Sequence, residues 1–392
     1  MVLFPTQEIG SIDKFGSWRI KGITKTKKLT GEDRDELERQ RRLYGVNGRE
    51  LKHDLDQILR KPERTQEDRT RVIEWSAVFA IRFFESAGLD IVYSGEQFRS
   101  EMYQQPTDNI SGFEQVGWVR SKPDKKGSKY FRKCRVVSEP ELKKPFHLEE
   151  FIFTREHTSL GKIVKVPITG AYTLADWSFD EFYLKKLLDQ GVPLREAEYP
   201  AKRELTMAIV RNCLRPHIEA LVRAGAQYIQ IDEPAGGTKP NEVDIFVDSY
   251  NETVRGLPGK FSLHVCFPHY YCGYDILFPE LQRLENCSML TWEFANQDTD
   301  HNFESYKHIL GLIKQYTPDK EVGLGVLDVH QEDIIESPQL VRDRILHAVD
   351  IYGDPRKIYV NPDCGLRTQP LDVAYQKLTN MVEGAYLARE RF

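Results

Sequence analysis

One histidine, two cysteines and one glutamate are spaced so that they could hold a metal ion. His264 and Cys266 form a His-x-Cys pair in the apolar run Phe261–Phe267, and the two-residue period of a strand puts both side chains on one face. Glu293 and Cys364 stand at or just after the ends of two later strand-like runs. Such a set of N, S and O ligands suits tetrahedral zinc, so we predict a zinc site here.

Two other interpretations of these residues stay open. The pair could be a hydrogen-bonded core histidine beside a buried cysteine. A rival ligand set in the following loop would join His269 and Cys272 to Cys266. We favour the set with Glu293 and Cys364, because the rival set includes no residue from another strand. Cys213 and Cys287 fit better as small buried apolar residues.

Acidic residues end two other strand-like runs. Glu96 follows Leu89–Gly95, and Asp232 lies in Tyr228–Pro234. Both carboxylates would suit a substrate ammonium group, and an ion pair with a barrel Arg or Lys is the alternative for either one. Trp177 could present a flat face to an aromatic ring or simply pack against its neighbours.

Eight strand-like runs must position these residues. They are rich in Val, Ile, Tyr, Phe and Leu, as in strands that are buried on both sides of a parallel sheet. The runs are Phe4–Gly10, Leu89–Gly95, Lys165–Gly170, Tyr228–Pro234, Phe261–Phe267, Met289–Phe294, Val322–Val329 and Lys357–Asn361. Their alternation with amphipathic segments predicts an α/β fold, a (β/α)8 TIM barrel, whose chemistry gathers at the carboxyl ends of the strands.

Helical apolar spacing marks the segments between the strands. They are Thr65–Ala87, Arg203–Ala224, Val243–Val254, Tyr274–Leu284, Phe303–Tyr316, Pro338–Ile351 and Leu371–Arg389. We expect one catalytic domain over residues 1–392, with insertions after strands one and two at about 20–70 and 97–164. The charged stretch Arg34–Arg64 predicts a solvated helical pair, and the basic stretch Ser121–Arg135 predicts a solvated hairpin or loop.

Composition narrows the class of protein. Among 392 residues, 55 Lys and Arg against 60 Asp and Glu give a net charge of −5, which offers no electrostatic reason to expect nucleic acid or an acidic membrane as partner. The mean hydropathy of −0.52 argues against a membrane span. We expect no signal peptide, and the six cysteines are too sparse for a disulfide scaffold, so we expect a cytoplasmic protein.

Eight motifs, in order along most of the chain, resemble the catalytic C-terminal domain of the cobalamin-independent methionine synthase family. The segments IDEPA and NPDCGL are the most diagnostic. The motifs are Glu8–Ser11, Tyr93–Glu96, Leu174–Phe179, Ile229–Ala235, His264–Cys266, Thr291–Glu293, Gly325–His330 and Asn361–Leu366. The chain is similar to the short core type, which lacks the N-terminal barrel of the long enzymes.

The resemblance implies zinc bound by the same four side chains as above. It also implies five contacts to L-homocysteine, namely Ile9, Gly10, Ser11, Glu96 and Asp232. The resemblance further implies that Trp177 contacts the methyl donor or the substrate. It makes His330 the proton donor, with Asp328 adjusting the acidity of His330. The implied reaction moves a methyl group to the homocysteine thiol and forms L-methionine, with 5-methyltetrahydrofolate or a methylcorrinoid, free or on a corrinoid protein, as donor.

Two departures from the family pattern bear on the donor. Thr238 stands where the long enzymes carry a glutamate, and Phe294–Gln297 replaces a Thr-Ser-Arg-Ser stretch; both weaken the case for folate binding. The short core type also lacks the barrel that helps to hold a polyglutamate tail, and this lack together with Thr238 predicts a methylcorrinoid as a better donor than methyl-folate. The alternative functions are a related zinc-dependent thiol alkyltransferase, such as an epoxyalkane:coenzyme M transferase, and a non-catalytic carrier on the same fold. Glu96 and Asp232 argue against the first because coenzyme M has no ammonium group. The zinc set and His330 argue against the second.

Overall fold

The computed structural model describes residues 2–46, 49–120, 130–266, 273–331 and 333–392. In chain order the strands are β1 (Ile91–Val92), β2 (Ile110–Arg120), β3 (Tyr130–Leu142), β4 (Ile163–Thr169), β5 (Phe179–Asp180), β6 (Tyr228–Asp232), β7 (Lys260–Val265), β8 (Met289–Trp292), β9 (Glu321–Leu327) and β10 (Ile358–Pro362). Seven parallel strands form the central sheet, in the order β1-β4-β6-β7-β8-β9-β10, and β2, β3 and β5 form a small second sheet.

The segment before β1 closes the central sheet into a barrel. Thr6 forms a parallel bridge to Val360 of β10, and Gln7 forms one to Ile91 of β1. The Gln7 N–H donates to the Val360 carbonyl at 2.9 Å, and the Ile91 N–H donates to the Thr6 carbonyl at 3.1 Å. These eight segments confirm the predicted (β/α)8 barrel, although only the middle of the predicted strand Phe4–Gly10 pairs with its neighbours.

Helices surround the barrel and fill the insertions. They are α1 (Gly16–Gly22), α2 (Gly31–Tyr44), α3 (Arg49–Arg60), α4 (Gln66–Ser86), α5 (Gln104–Asn109), α6 (Leu148–His157), α7 (Ala171–Asp176), α8 (Tyr183–Asp189), α9 (Leu194–Ile209), α10 (Arg215–Arg223), α11 (Val243–Val254), α12 (Glu304–Tyr316), α13 (Pro338–Tyr352) and α14 (Leu371–Arg389). Within the described residues, none of these helices is long and apolar enough to cross a membrane.

One helical prediction needs correction, and another is confirmed but extends further. The segment Tyr274–Leu284 forms two short 3₁₀ turns, Tyr274–Leu277 and Glu280–Arg283, because Pro279 between them has no N–H to continue an α-helix. The segment Arg203–Ala224 belongs to a longer unit that starts at α9 and passes through one π-helical turn into α10.

The charged stretch of the first insertion forms the predicted helical pair. Helices α2 and α3 are the expected pair in the first, and α2 begins with a capping box in which Thr30 and Asp33 satisfy each other's backbone N–H groups. The second contains the antiparallel hairpin of β2 and β3. Residues 121–129 of the basic stretch lie outside the described residues.

Candidate active site

His264 is oriented for metal binding by its neighbour in the sheet. Its Nδ1 lies 2.9 Å from the carbonyl oxygen of Thr291 on β8, so the proton belongs on Nδ1 and the lone pair on Nε2. The buried Nε2 has no hydrogen-bond partner within the described residues. Burial lowers the pKa of His264 to about 4, so the ring is neutral at physiological pH.

Two thiols complete a close group around that nitrogen. The ligand atoms of His264, Cys266 and Cys364 all lie within 4.8 Å of one another. The contact with Cys364, together with burial, raises the pKa of the Cys266 thiol well above its ordinary value. The imidazole, the buried Cys266 thiol and the half-buried Cys364 thiol form a donor set that fits zinc. The rival residues His269 and Cys272 lie outside the described part of the chain.

Glu293, the fourth predicted ligand, lies near this group but outside the 4.8 Å set. It is fully buried directly after β8, and its charge contributes to the raised pKa of Cys266. The amide of Asn296 donates to its Oε2 at 2.8 Å. Its backbone N–H donates to the Tyr274 hydroxyl at 2.9 Å, and that hydroxyl donates to the Val265 carbonyl at 2.8 Å.

Asp363 joins the strand end of Cys364 to the loop that follows Glu293, a role that the sequence analysis missed. Its buried carboxylate accepts hydrogen bonds from the backbone N–H groups of Phe294 at 2.9 Å, Ala295 at 3.0 Å and Asn296 at 2.7 Å. Burial raises the pKa of Asp363 to about 7. Its place next to Cys364 in the NPDCGL motif was the available signal.

The predicted homocysteine loop packs directly against the Cys364 segment. A Cβ on Gly365 would lie 2.6 Å from the Ser11 nitrogen, and one on Gly10 would lie 3.1 Å from the Gly365 Cα. Only glycine allows such a backbone approach. Ile9, which precedes this contact, is fully buried.

The two acidic residues differ in their partners. Asp232 is the register partner of His264 on the neighbouring strand, and within the described residues it forms no ion pair. Burial, followed by the charge of Glu96, raises the pKa of Asp232 to about 8. Glu96 forms an ion pair, the alternative role that the sequence left open for it: its Oε1 lies 3.3 Å from Nη1 of Arg99.

The residues expected to contact the methyl donor lie in the segments that follow two other strands, β4 and β9. Trp177 is half-buried after α7, and the centres of the Tyr103 and Phe131 rings lie 6.2 Å and 6.1 Å from the centre of its ring. His330 is half-buried, and its backbone N–H donates to Asp328 Oδ1 at 2.8 Å. Asp328 therefore fixes the turn that carries His330.

Lys165 and Glu8 are buried charges in the barrel interior that the sequence analysis did not single out. Burial lowers the pKa of Lys165 to about 8, and burial raises that of Glu8 well above its ordinary value. Glu8 accepts from the Leu366 N–H at 3.0 Å and from the Tyr93 hydroxyl. A charged residue inside each of two buried strand-like runs was the signal that could have identified them.

The fold and the site define a (β/α)8 barrel enzyme with a candidate metal centre at the carboxyl ends of its strands. The family model "Cobalamin-independent synthase, Catalytic domain" matches residues 49–386. The chain is 36% identical over 337 residues to a methionine synthase of Thermococcus kodakarensis, covering 86% of this chain and 88% of that one. It is 35% identical over 339 residues to one of Thermoplasma acidophilum, covering 82% and 90%.

A solved structure has the same fold. A B12-independent methionine synthase from Shewanella sp. W3-18-1, in complex with selenomethionine, matches with a TM-score of 0.72 and 21% identity over 100% of this chain and 99% of that chain. The chain therefore belongs to the cobalamin-independent methionine synthase family. Membership confirms the predicted enzyme class, a homocysteine methyltransferase of methionine biosynthesis.

Proposed function

We propose that this chain transfers a methyl group to the thiol of L-homocysteine at a zinc ion held by His264, Cys266, Cys364 and Glu293. One observation supports this most strongly: the buried Nε2 of His264 lacks a hydrogen-bond partner within the described residues, and the ligand atoms of His264, Cys266 and Cys364 lie within 4.8 Å of one another. An unpaired buried polar atom costs about 1–3 kcal/mol, and coordination of a metal removes that cost.

When bound, zinc would lower the pKa of the homocysteine thiol so that the sulfur is deprotonated and nucleophilic at neutral pH. The chain's own residues hold the two ends of the substrate. Asp232 receives the ammonium group, whose positive charge favours the ionised carboxylate over the protonated form of the empty site. The glycine contact at Gly10 and Gly365 keeps the loop of Ile9 and Ser11 beside the metal centre. Because Asp232 and His264 are register partners on adjacent strands, a substrate as short as homocysteine can span both groups.

The transfer forms one bond and breaks one. The homocysteine sulfur attacks the methyl carbon while the bond from that carbon to its donor breaks, and the bonding electrons leave with the donor. A nitrogen donor such as 5-methyltetrahydrofolate needs a proton on the leaving nitrogen, and His330 supplies it. A methylcorrinoid needs no proton, because cobalt accepts the electron pair.

Two features support a methylcorrinoid, free or protein-bound, as the better donor. The Trp177 ring packs against the tilted rings of Phe131 and Tyr103, which fits the packing role that the sequence left open for it. Thr238 replaces the glutamate of the long enzymes, and its hydroxyl donates to the Ala235 carbonyl at 2.8 Å.

Parallel assays test the proposed function. The purified protein is supplied with homocysteine and with methylcobalamin, 5-methyltetrahydrofolate or its polyglutamates, and methionine formation is measured. Homocysteine methylation supports the proposal. Methylation of coenzyme M in preference to homocysteine supports the thiol alkyltransferase alternative, and binding without turnover of any donor supports the carrier.

A further inference from the structure

Gln230 links the amino-acid half of the site to the barrel interior. It lies two residues before Asp232 on β6, so both side chains share the interior face of the strand. Its Nε2 donates to Asp232 Oδ1 at 2.6 Å and to the carbonyl oxygen of Ile9 at 2.8 Å. One fully buried amide therefore contacts two of the groups that are assigned to homocysteine.

Lys165 determines which end of that amide faces Asp232. A glutamine amide can be turned either way, with its oxygen or its nitrogen toward a given neighbour. The Lys165 ammonium can only donate, and its Nζ lies 2.8 Å from Gln230 Oε1, so the NH₂ group must face Asp232. Lys165 is held in turn by Gln7 Oε1 at 3.2 Å and by the carbonyl of Glu8.

We propose that Gln230 is a positioning residue that acts through Asp232 to place the ammonium group of homocysteine, with Lys165 fixing its amide. The inference rests on the proposed function. The amide occupies Oδ1 of Asp232 and leaves Oδ2 for the ammonium group. The same NH₂ group holds the Ile9 carbonyl, so the carboxylate and the loop of Ile9 and Ser11 keep a fixed spacing.

The test is the substitution Gln230→Met, which keeps the length of the side chain and removes its hydrogen bonds. Two thiols are compared as methyl acceptors: homocysteine and 4-mercaptobutanoate, which has the same skeleton without the amino group. We expect kcat/KM for homocysteine to fall about tenfold to a hundredfold, as for the loss of a hydrogen bond to a charged group. The value for 4-mercaptobutanoate should fall clearly less, because only the lost hold on the Ile9 carbonyl affects it, and the zinc content stays unchanged.

A second background checks that Gln230 acts through Asp232. In Asp232→Asn, adding Gln230→Met should lower kcat/KM for homocysteine no further. Gln40→Met is the matched control, because Gln40 is also fully buried but accepts from the Trp18 indole in the first insertion; it should leave the ratio between the two thiols unchanged.

If Gln230→Met does not fold, Gln230→Glu keeps the acceptor for Lys165 and loses the donor toward Asp232, so the same selective loss is expected. An equal fall for both thiols, or no fall for homocysteine, overturns the inference. A parent protein that does not methylate homocysteine overturns the proposed function instead, which separates the two failures.

Discussion

Nδ1 of His264 lies 2.9 Å from the carbonyl oxygen of Thr291, its register partner on the adjacent strand. A backbone carbonyl at this position can only accept, so it fixes both the tautomer and the direction of the ring. The barrel thus prepares an imidazole nitrogen for a metal through main-chain geometry, and the identity of residue 291 matters little for this contact.

The first prediction concerns the metal. We expect the purified protein to contain about one zinc per chain, and we expect His264→Ala and Cys364→Ser to lose most of the zinc and the activity. Metal content is measured by atomic emission after dialysis. Cys213→Ser serves as control, because Cys213 is buried in the π-helical turn, away from the close group. Stoichiometric zinc in both ligand variants contradicts the assignment.

The second prediction concerns the amino-acid end of the substrate. Asp232→Asn should weaken homocysteine binding by about 2–5 kcal/mol, the cost of breaking a buried contact between charged groups. Glu96→Gln should weaken it less, because Arg99 already shares the charge of Glu96. Calorimetric titration with homocysteine measures both effects, with zinc content as the control for folding. Unchanged affinity in both variants excludes this role.

The sequence predicted the barrel well because its strands are buried on both sides and therefore read as apolar runs. Predicted and observed strands agree within a few residues for all seven of the central sheet. Of the four side chains predicted to bind zinc, the structure places the ligand atoms of His264, Cys266 and Cys364 within 4.8 Å of one another. The sequence could predict this group because residues at the carboxyl ends of parallel strands meet at one mouth of the barrel. The contacts that support the site could not be predicted from the sequence, because the role of Asp363 depends on backbone N–H groups of a loop distant in the chain.

The third prediction concerns pH. The His217 ring stacks on Phe146 at 3.9 Å, and neither ring nitrogen has a hydrogen-bond partner in the described part of the chain. Burial, followed by the positive charges of His147 and Arg99, lowers the pKa of His217 well below its ordinary value. Below about pH 6.5 the His217 side chain therefore binds a proton in the unfolded chain but not in the folded protein. The free energy of unfolding consequently falls as pH falls.

His217→Phe keeps the stacking and removes the titrating group. We expect the variant to lose a pH slope that begins near pH 6.5 and approaches about 1.4 kcal/mol per unit at lower pH, measured by urea unfolding at several pH values. His53→Phe is the control, because it makes the same substitution at an exposed histidine. An equal slope in the parent and His217→Phe would show that His217 does not couple folding to pH.

The last prediction concerns the methyl donor and follows from the chemistry of the leaving group. A nitrogen that leaves needs a proton, whereas cobalt leaves with its electron pair and needs none. If His330 is the proton donor, His330→Ala should reduce transfer from 5-methyltetrahydrofolate by about 10²–10⁴-fold, the usual contribution of general acid catalysis. Transfer from methylcobalamin should change little, and methylcobalamin should be the faster donor with the parent protein.

We measure initial rates for the parent and for His330→Ala with both donors at equal concentration. These rates show which methyl donor is preferred and whether His330 supplies the proton. Zinc content and homocysteine affinity must stay unchanged in the variant, so that its effect is assigned to proton transfer. Gln331→Ala is a matched control, because the Gln331 amide donates to Asp328 Oδ2 at 3.0 Å in the same turn. Loss of the Gln331 amide disturbs the turn but leaves the His330 imidazole in place. Faster transfer from methyl-folate by the parent, or loss of both transfers in His330→Ala alone, contradicts the donor assignment, because only proton donation to nitrogen separates the two reactions.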